Sequence, residues 1–311
     1  MSPEPVQRDT PACSLCGEPA VIYQRHTGRY LCGTHLIADI EQRVSETIAS
    51  EQQVVSGDCV AVALSGGKDS TALLLLLHRL FGSRNDIRLV AVTADEGISG
   101  YREETVRSAE DLVKRLGVEH ITVSFEELFG DTLDTLLKGR ETQACSICGI
   151  LRKKALVEGA KKAGATKLAT GHNLDDEAQS VLMNVLRGDL MRLVRNSGAD
   201  SGGRFIPRIK PLMYIQEKEI ATFLMVQGVW EDLPECPYAI HALRREVRSM
   251  LSGIEYRHPG TMLRLMENKK RIESAFLGKN IAEPFGRCRE CGDPCSGELC
   301  QLCQLKRSLL R

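Results

Sequence analysis

The sequence predicts an α/β protein whose parallel sheet is flanked by a zinc-binding module at each end of the chain. Two observations support this prediction. Short apolar runs alternate with helical patterns through the middle of the 311 residues, an order typical of a parallel sheet covered by helices on both faces. Pairs of cysteines two residues apart occur near both ends, and such pairs are typical of structural zinc sites.

The central elements follow one another from residue 58 to residue 186. Short apolar runs that contain valine predict buried strands, and longer runs with helical periodicity predict helices. The predicted strands are residues 58–64, 87–94, 118–125 and 167–170, and the predicted helices are residues 71–81, 103–116, 150–163 and 174–186. Ligands of such sheets bind beyond the carboxyl ends of the strands.

Composition excludes several classes of protein. Basic residues and acidic residues number 41 each, so a nucleic-acid partner would need a local basic patch. The hydrophobic share of 42% and the charged share of 26% exclude a disordered or fibrous chain. The longest apolar run, residues 71–77, is far below the roughly 20 residues that span a bilayer, and a signal segment is not apparent. We expect a cytoplasmic protein with no membrane contact, whose 12 cysteines indicate metal rather than disulfides.

The two outer cysteine groups each supply four zinc ligands. The first group is Cys13, Cys16, Cys32 and His35, and the last is Cys288, Cys291, Cys300 and Cys303. Four ligands close a tetrahedral site and leave no position for a substrate, so both zinc ions are predicted to be structural. Cys295 interrupts the last group and is interpreted as a spare thiol, although a ligand set that includes it stays open.

The middle group of cysteines is one ligand short of a zinc site. Its members are Cys145, Cys148 and Cys236, and the candidates for a fourth ligand are His172, His241 and Cys59. Cys59 lies in an apolar strand, where it is more typical of a small buried hydrophobe. Three thiolates on a cubane iron–sulfur cluster would instead leave one iron open, and a transient disulfide or persulfide pair is the competing interpretation.

The loop after the first strand, residues 65–70 (SGGKDS), has the composition of an anion cradle. Its two glycines let backbone N–H groups turn towards an anion, and the following helix adds its positive end. Lys68 contributes charge, and Ser65 and Ser70 can donate hydroxyl hydrogen bonds. The spacing is not that of a Walker loop, so the loop predicts a phosphate site of another class.

These motifs resemble those of a known family. Residues 63–70 (ALSGGKDS) resemble the signature loop of the N-type ATP pyrophosphatases, or PP-loop proteins, which have a Rossmann-like sheet and cleave ATP between the α- and β-phosphates. Residues 169–179 (ATGHNLDDEAQ) are similar to a block of the tRNA thiolases. With CSICG, ECPY and the cysteine-rich ends, the chain resembles the TtuA/NcsA-type tRNA 2-thiouridine synthetases over nearly its full length.

The resemblance implies a reaction and its cofactors. ATP with Mg²⁺ adenylates the C2 oxygen of a tRNA uridine, AMP leaves, and sulfur takes its place. The resemblance implies that Cys145, Cys148 and Cys236 hold a [4Fe-4S] cluster with one open iron, and that zinc is bound at both ends. It also implies a sulfur donor, either a thiocarboxylated ubiquitin-like protein or free sulfide. Whether the uridine is at the wobble position or in the T-loop stays open.

Particular residues are assigned on the same basis. The expected ATP-binding residues are Ala63, Leu64, Ser65, Gly66, Gly67, Lys68, Asp69, Ser70, Arg152, Gly171 and His172. The expected catalytic residues are Asp176, Lys68 and Arg152. The family can have lysine where this chain has Arg152. Arginine keeps the positive charge, but it carries that charge on a planar guanidinium group with several N–H donors instead of on a single ammonium group. Asp69 can hold magnesium or cap the next helix, and Asp95 can do either.

A local basic segment is predicted to bind tRNA. Residues 241–273 hold eight lysines and arginines against four glutamates, a local excess of positive charge that suits phosphate. The predicted contacts are Arg244, Arg245, Arg248, Arg264, Lys269, Lys270 and Arg271. The zinc modules can also clamp RNA or stabilise a homodimer, which is the expected oligomer.

Four domains are predicted along the chain. They are a zinc finger (residues 1–40), the PP-loop catalytic domain (41–240), the basic tRNA-binding helices (241–280) and a zinc ribbon (281–311). Two rival functions remain. A tRNA 2-thiocytidine synthetase has a similar core, and a zinc-dependent RNA-binding protein could retain an inactive ATP fold.

Overall fold

The strands of the protein form one central sheet and two small hairpins. The structure, a computed structural model, describes residues 10–194, 206–238, 243–276, 286–295 and 297–309. The strands are β1 (Ile22–Gln24), β2 (Arg29–Leu31), β3 (Cys59–Ala63), β4 (Arg88–Asp95), β5 (Glu119–Ser124), β6 (Lys167–Ala169), β7 (Arg208–Ile209), β8 (Gly286–Arg287) and β9 (Pro294–Cys295). Strands β3 to β7 make the central sheet, and the other two pairs are antiparallel hairpins in the zinc modules.

The central sheet is parallel throughout, in the order β5-β4-β3-β6-β7. It contains all four predicted strands. The fifth strand, β7, has two residues, too few for any periodic pattern to appear in the sequence. Val60 and Val62 pack on one face of the sheet, whereas Ala61 packs on the other with Leu168. Both faces are therefore buried, as continuous apolar runs in parallel strands require.

Helices cover both faces of this sheet. They are α1 (Gly33–Ser50), α2 (Lys68–Phe81), α3 (Arg102–Leu116), α4 (Phe125–Phe129), α5 (Leu133–Leu136), α6 (Ala144–Lys162), α7 (Leu174–Leu186), α8 (Leu190–Val194), α9 (Glu217–Val226), α10 (Leu243–Arg257), α11 (Thr261–Phe276) and α12 (Gln301–Leu309). Helices α1, α2, α3 and α9 share one apolar cluster with the sheet, α6 packs on the opposite face, and α10 and α11 pack on α7. Within the described ranges, no helix is long and apolar enough to cross a membrane.

The N-terminal zinc module continues directly into the central domain. The zinc ligand candidate His35 lies in the first turn of α1. Further along this helix, Leu36, Ile40 and Val44 are fully buried in the apolar cluster that contains Val60 of β3. The predicted domain boundary at residue 40 thus falls inside a helix that is packed on the sheet on both sides of that position.

Helix α6 begins at Ala144, whereas the sequence pattern predicts a start at residue 150. The reason is tertiary burial: Ala144, Ile147 and Leu151 point into an apolar cluster under the sheet, and this packing overrides the helix-weakening effect of a glycine at position 149. The first five residues of α6 therefore include Cys145 and Cys148, both as helical residues.

The C-terminal zinc ribbon lies against α6. Leu302 of α12 is buried in the same apolar cluster as Ile147 of α6. Lys154 of α6 pairs with Asp293, at 2.6 Å between Nζ and Oδ2. The ribbon is thus part of the packing around the middle cysteines.

Candidate active site

The loop between β3 and α2 forms a tight turn at the carboxyl edge of the sheet. Gly66 has a φ of +86°, which favours glycine, and a Cβ at this position would collide with the carbonyl oxygen of Thr105. The hydroxyls of Ser65 and Ser70 lie 3.1 Å apart, and Ser65 Oγ accepts a hydrogen bond from the Gly67 N–H at 3.3 Å. Gly67 is the N-cap of α2 and has no side chain to occupy the first N–H groups of the helix, so the turn has the geometry that an anion needs.

Lys68, the first residue of α2, is held between two carboxylates. Its Nζ lies 2.9 Å from Asp69 Oδ2 and 2.9 Å from Glu217 Oε1. Burial acts to lower the pKa of Lys68, but these carboxylates outweigh it and raise that pKa above its ordinary value. Asp69 lies inside the first turn rather than at the cap, and its other oxygen accepts a hydrogen bond from Asn173 Nδ2 at 2.9 Å. Lys68 is therefore a fixed cation at the loop of residues 63–70, which is called the nucleotide loop because of its resemblance to the ATP-binding loop of the PP-loop proteins.

The loop between β6 and α7 brings the second motif to the same edge. Gly171 packs on the backbone of Asp69, where a Cβ would approach to 3.0 Å. Asn173 caps α7, because its Oδ1 accepts a hydrogen bond from the Asp176 N–H at 3.0 Å. The same asparagine donates to Asp69, so it ties the start of α7 to the start of α2. Asn173 thus links the Asp69 carboxylate to the backbone of Asp176.

Two titratable groups in this region have shifted pKa values. Burial lowers the pKa of His172, as does the charge of Lys210, and His172 Nδ1 lies 2.9 Å from Thr170 Oγ1. Burial raises the pKa of Asp175 to about 6, although Asp175 Oδ2 accepts a hydrogen bond from the Glu217 backbone N–H at 2.8 Å. At neutral pH the imidazole is uncharged and suits hydrogen bonding rather than charge pairing.

The middle cysteines meet where α6 begins. Cys145 is exposed, Cys148 is buried and Cys236 is intermediate. Cys145 Sγ lies 3.6 Å from the carbonyl oxygen of Tyr238, and Cys236 packs on the apolar cluster that contains Cys148. Burial raises the pKa of the Cys148 thiol to about 11. The fourth-ligand candidate Cys59 is buried at the start of β3, and His241 lies outside the described residues.

The spacing of these three sulfurs suits a cluster better than a single ion. In the part of the chain that the structure describes, they do not form a group with all ligand atoms within 4.8 Å, as the outer groups do. A cubane spreads its thiolates over separate iron atoms, so its ligands need not be that close. Three cysteines from two segments around a partly exposed turn are a donor set that fits a [4Fe-4S] cluster.

A buried acid connects the cysteine site with the nucleotide loop. Glu96, which follows β4, is 2% exposed, and its carboxylate lies 2.6 Å from Arg152 Nε and 2.7 Å from Arg102 Nε. Arg152 also donates to Cys148 Sγ at 3.4 Å, and Arg102 donates to the Ser65 carbonyl at 2.7 Å. Contacts therefore run without a break from Cys148 to the loop. The planar fork of arginine allows residue 152 to contact a carboxylate and a thiol at once.

Each outer cysteine group is a tight four-atom cluster. In both groups all ligand atoms lie within 4.8 Å of one another. The Sγ atoms of Cys16 and Cys32 are 3.7 Å apart, and those of Cys291 and Cys300 are 3.5 Å apart. Sulfurs about 2.3 Å from a tetrahedral zinc lie about 3.8 Å from one another, so both donor sets fit zinc. Cys295 lies outside the second group, and its Sγ donates to the Gly297 carbonyl at 2.9 Å.

The basic segment forms helices α10 and α11. The side chains of Arg244 and Arg245 lie outside the described residues; those of the other five predicted contacts are described. Three of those five pair with acids, Arg248 with Glu217, Lys269 with Glu273 and Lys270 with Glu51. The Arg248 and Lys270 side chains are 55% and 59% exposed, and ion pairs of such exposed cations contribute only about 0–1 kcal/mol, so phosphates can compete for these two. Lys269 and Glu273 are only 15% and 17% exposed, so their pair is largely shielded from solvent.

The sheet order, the glycine-rich turn and the second motif beside it define an ATP pyrophosphatase of the PP-loop class. In agreement, a family described as the PP-loop domain matches residues 36–233. A second family, the N-terminal LIM domain of the 2-thiouridine synthetase TtuA, matches residues 13–37. The chain belongs to the family of PP-loop tRNA 2-thiolation proteins.

Relatives support this membership along almost the whole chain. The tRNA 2-thiolation protein NcsA of Haloferax volcanii is 34% identical over 316 residues, covering 96% of this chain and 98% of the relative. Cytoplasmic tRNA 2-thiolation protein 1 of Mus musculus is 37% identical over 310 residues, covering 97% of this chain and 73% of the relative. The solved structure of the U34-tRNA thiolase NcsA from Methanococcus maripaludis, with its [4Fe-4S] cluster, has a TM-score of 0.82 at 30% identity and covers 97% of both chains. The predicted family and fold class are confirmed, and neither rival function is favoured.

Three residues of this region were not predicted from the sequence. Glu96, Arg102 and Glu217 lie in no recognisable motif, and each contacts a residue that is distant in sequence, respectively Arg152, Ser65 and Lys68. A usable signal did exist for the first two residues. An acid directly after a buried strand, followed by an arginine at the start of the next helix, places opposite charges beside the nucleotide loop.

Proposed function

We propose that this protein uses ATP to adenylate the C2 oxygen of a tRNA uridine and replaces that oxygen with sulfur, giving 2-thiouridine, AMP and pyrophosphate. One observation carries the proposal: the nucleotide loop and the three-cysteine site are joined through Arg102, Glu96 and Arg152. A reaction that activates an oxygen and then delivers sulfur needs both sites at one reacting atom.

The nucleotide loop would hold ATP. Residues 63–70 form the cradle, in which backbone N–H groups and the Ser65 and Ser70 hydroxyls face the pyrophosphate and Lys68 supplies positive charge. Gly171 allows the second loop to approach this cradle closely. His172, uncharged at neutral pH, would donate or accept a hydrogen bond at the phosphates.

Carboxylates beside the cradle would serve the reacting centre. Asp176 lies at the start of α7, and Asn173 holds it near Asp69. Carboxylate oxygens are the ligands that Mg²⁺ prefers, so Asp69 and Asp176 are the candidates to hold the magnesium that accompanies ATP. Asp176 is our choice for the catalytic carboxylate, either as a magnesium ligand or as a base.

Cys145, Cys148 and Cys236 would hold a [4Fe-4S] cluster, with one iron left without a protein ligand. When bound, the cluster supplies an open metal site that lowers the pKa of hydrosulfide and fixes its position. Arg152 keeps a positive charge beside Cys148 and in contact with Glu96, which suits a phosphate oxygen or an incoming anion. The sulfur would come from a thiocarboxylated ubiquitin-like protein or from free sulfide.

The substrate of the family is tRNA, and the basic segment is our candidate for the surface that binds it. The cations of α10 and α11 would contact phosphates, with Arg264 and Arg271 as the described side chains that join Arg248, Lys269 and Lys270. We place the reaction in the cytoplasm and expect a homodimer. The zinc modules would be structural, since their four ligands leave no open position.

The products of ATP cleavage test the proposal. Anaerobically purified protein with tRNA and sulfide should convert ATP to AMP and pyrophosphate, and mass spectrometry of tRNA nucleosides should show 2-thiouridine. Detection of ADP and phosphate would contradict it. Lys68→Ala should reduce AMP formation and leave the iron content unchanged.

The cluster has its own test. Cys236→Ala should remove both the iron, about four atoms per chain in the wild type on the cubane stoichiometry, and the thiolation activity. Cys59→Ala is the matched control and should keep both, because Cys59 packs against Ala163, at the opposite end of α6 from Cys145 and Cys148. Iron-free protein that still thiolates tRNA with sulfide would favour the persulfide route.

A further inference from the structure

Glu217, the first residue of α9, lies between the nucleotide loop and the basic helix α10. Its Oε1 contacts both Lys68 Nζ at 2.9 Å and Arg248 Nη2 at 2.6 Å, and the same Arg248 nitrogen lies 2.5 Å from Oε2. The glutamate side chain is only 21% exposed, so solvent screens these contacts incompletely. Because Lys68 and Arg248 meet at the same oxygen, the two cations are close enough to repel each other.

Each of these cations is also placed to bind a phosphate. Lys68 begins the helix that follows the nucleotide loop, and Arg248 is 55% exposed on the basic helix. Under the proposed function, Lys68 turns to the phosphates of ATP and Arg248 turns to a phosphate of tRNA. We propose that Glu217 is a positioning residue that pairs with both cations when the ligands are absent. Through this shared pairing, bound ATP lowers the affinity for tRNA, and bound tRNA lowers the affinity for ATP. This inference rests on the proposed function.

The direction of the coupling follows from the shared oxygen. When ATP takes Lys68, Arg248 keeps the whole carboxylate and loses a repelling neighbour, so Glu217 holds it more tightly. In the same way, when a tRNA phosphate binds Arg248 first, Glu217 holds Lys68 more tightly. When both leave, a largely buried carboxylate remains beside Asp175, whose Oδ2 accepts the Glu217 backbone N–H. Joint binding is therefore less favourable than the two separate affinities indicate.

The backbone around Glu217 is fixed independently of these ion pairs. At the start of α9, Glu219 Oε2 accepts a hydrogen bond from the Gln216 backbone N–H at 2.9 Å, and Glu219 is fully buried against Arg43, at 2.8 Å. Removal of the Glu217 charge should therefore release Arg248 and leave Lys68 paired with Asp69 alone, without unfolding the helix. The exchange involves one carboxylate and two cations and requires no covalent step.

The substitution Glu217→Gln tests this coupling, since it keeps the shape and the backbone N–H but removes the charge. The probes are α,β-methylene-ATP with Mg²⁺ and an unmodified tRNA transcript. We expect the affinity for each probe to rise about twofold to fivefold, the range for loss of one partly exposed ion pair. The gain for tRNA should be larger when the nucleotide analogue is saturating than when it is absent. Damage to the start of α9 would lower both affinities instead.

A matched control separates this effect from general electrostatics. Glu246→Gln removes the same charge from an exposed position on the helix that carries Arg248. It should raise tRNA affinity modestly and leave the affinity for the nucleotide analogue unchanged. An equal effect of Glu246→Gln on the nucleotide analogue would overturn the specific role of Glu217.

A second variant tests the coupling even if Glu217→Gln alters folding. Arg248→Gln changes an exposed side chain outside the nucleotide site, yet it should weaken binding of α,β-methylene-ATP about twofold, since Glu217 then holds Lys68 alone. Arg257→Gln, at an exposed position at the end of α10 that is not among the predicted tRNA contacts, should leave nucleotide binding unchanged.

The outcomes distinguish this inference from the proposed function. Wild-type protein that binds neither probe would overturn the proposed function itself. If the wild type binds both probes, the coupling is overturned by Glu217→Gln affinities that are unchanged or lower, or by unchanged nucleotide binding in Arg248→Gln.

Discussion

Glu96 carries the only negative charge in the contact chain that leads from the cysteine site to the nucleotide loop, and its isosteric replacement by glutamine gives a sharp test of that chain. Glu96→Gln keeps the volume of the side chain and removes its charge. Arg102 and Arg152 then lose the carboxylate that lies 2.7 Å and 2.6 Å from their Nε atoms. We expect a large loss of stability from a change of very few atoms.

The magnitude follows from the exposure of the two arginines. Removal of one partner from a buried ion pair is unfavourable by about 3–5 kcal/mol, because the remaining charge is left uncompensated. The Arg102 side chain is 4% exposed and bears this penalty, since the carboxylate that remains, Asp95, lies 4.0 Å from its Nε. Arg152 is 43% exposed, so it regains water and adds at most about 1 kcal/mol. Since Arg102 keeps its hydrogen bonds to the Ser65 and Ala94 carbonyls, we expect a loss of about 3 kcal/mol.

Urea unfolding at equal zinc and iron loading measures this loss. With a slope of about 3 kcal/mol per molar urea, the midpoint of Glu96→Gln should fall by about 1 M. Glu103→Gln, at an exposed position on α3, is the control and should change stability by less than about 0.5 kcal/mol. Glu96→Gln with Arg102→Met should recover much of the loss, because no orphan charge remains. A midpoint shift no larger than that of the control, or a double variant no more stable than the single one, would refute the reasoning.

Three further expectations concern the zinc modules, pH and tRNA. Cys13→Ala and Cys303→Ala should each remove one zinc and lower the melting temperature; metal analysis that finds no zinc in folded wild-type protein would contradict this. Because folding raises the pKa of Asp175 from 3.8 to about 6, its contribution to stability is full below the lower value and is lost as pH rises through the higher one. As pH rises between those two values, the melting temperature of Asp175→Asn should therefore fall less than that of the wild type. The same dependence of melting temperature on pH in both proteins would disprove this. Reversing the charge of three arginines, Arg244, Arg245 and Arg248, should weaken tRNA binding and flatten its salt dependence; an unchanged slope would place the RNA surface elsewhere.

Features that consecutive residues determine could be predicted from the sequence. The turn at residues 65–70 is one, since Gly66 needs a positive φ and a close approach to Thr105 that only glycine permits. The zinc groups are another, because a spacing of two residues places both sulfurs at one ion. The alternation of apolar strands with helices likewise predicted the parallel sheet, which depends on local pattern and on burial of both faces.

Contacts between distant segments could not be predicted in this way. The sequence offers Asp95, at the tip of β4, as a magnesium ligand or a helix cap, but the acid buried between two arginines is its neighbour Glu96. Which of two adjacent acids turns inwards depends on the end of the strand and on the helices packed over it. The contact of Lys68 with Glu217 joins α2 to α9, and no periodic pattern relates those helices. The early start of α6 likewise reflects burial against other elements rather than local propensity.

The position of the zinc ribbon on α6 sets an order of events during synthesis. Asp293, which pairs with Lys154, lies 139 residues later in the chain, and Leu302 fills part of the apolar cluster that surrounds Cys148. On the ribosome, α6 therefore emerges with free thiols and an uncovered apolar surface, and it stays so until the ribbon has been made. The apolar surroundings of Cys148 are therefore complete only after the ribbon has been made, and a chain that stalls before the ribbon leaves this surface uncovered.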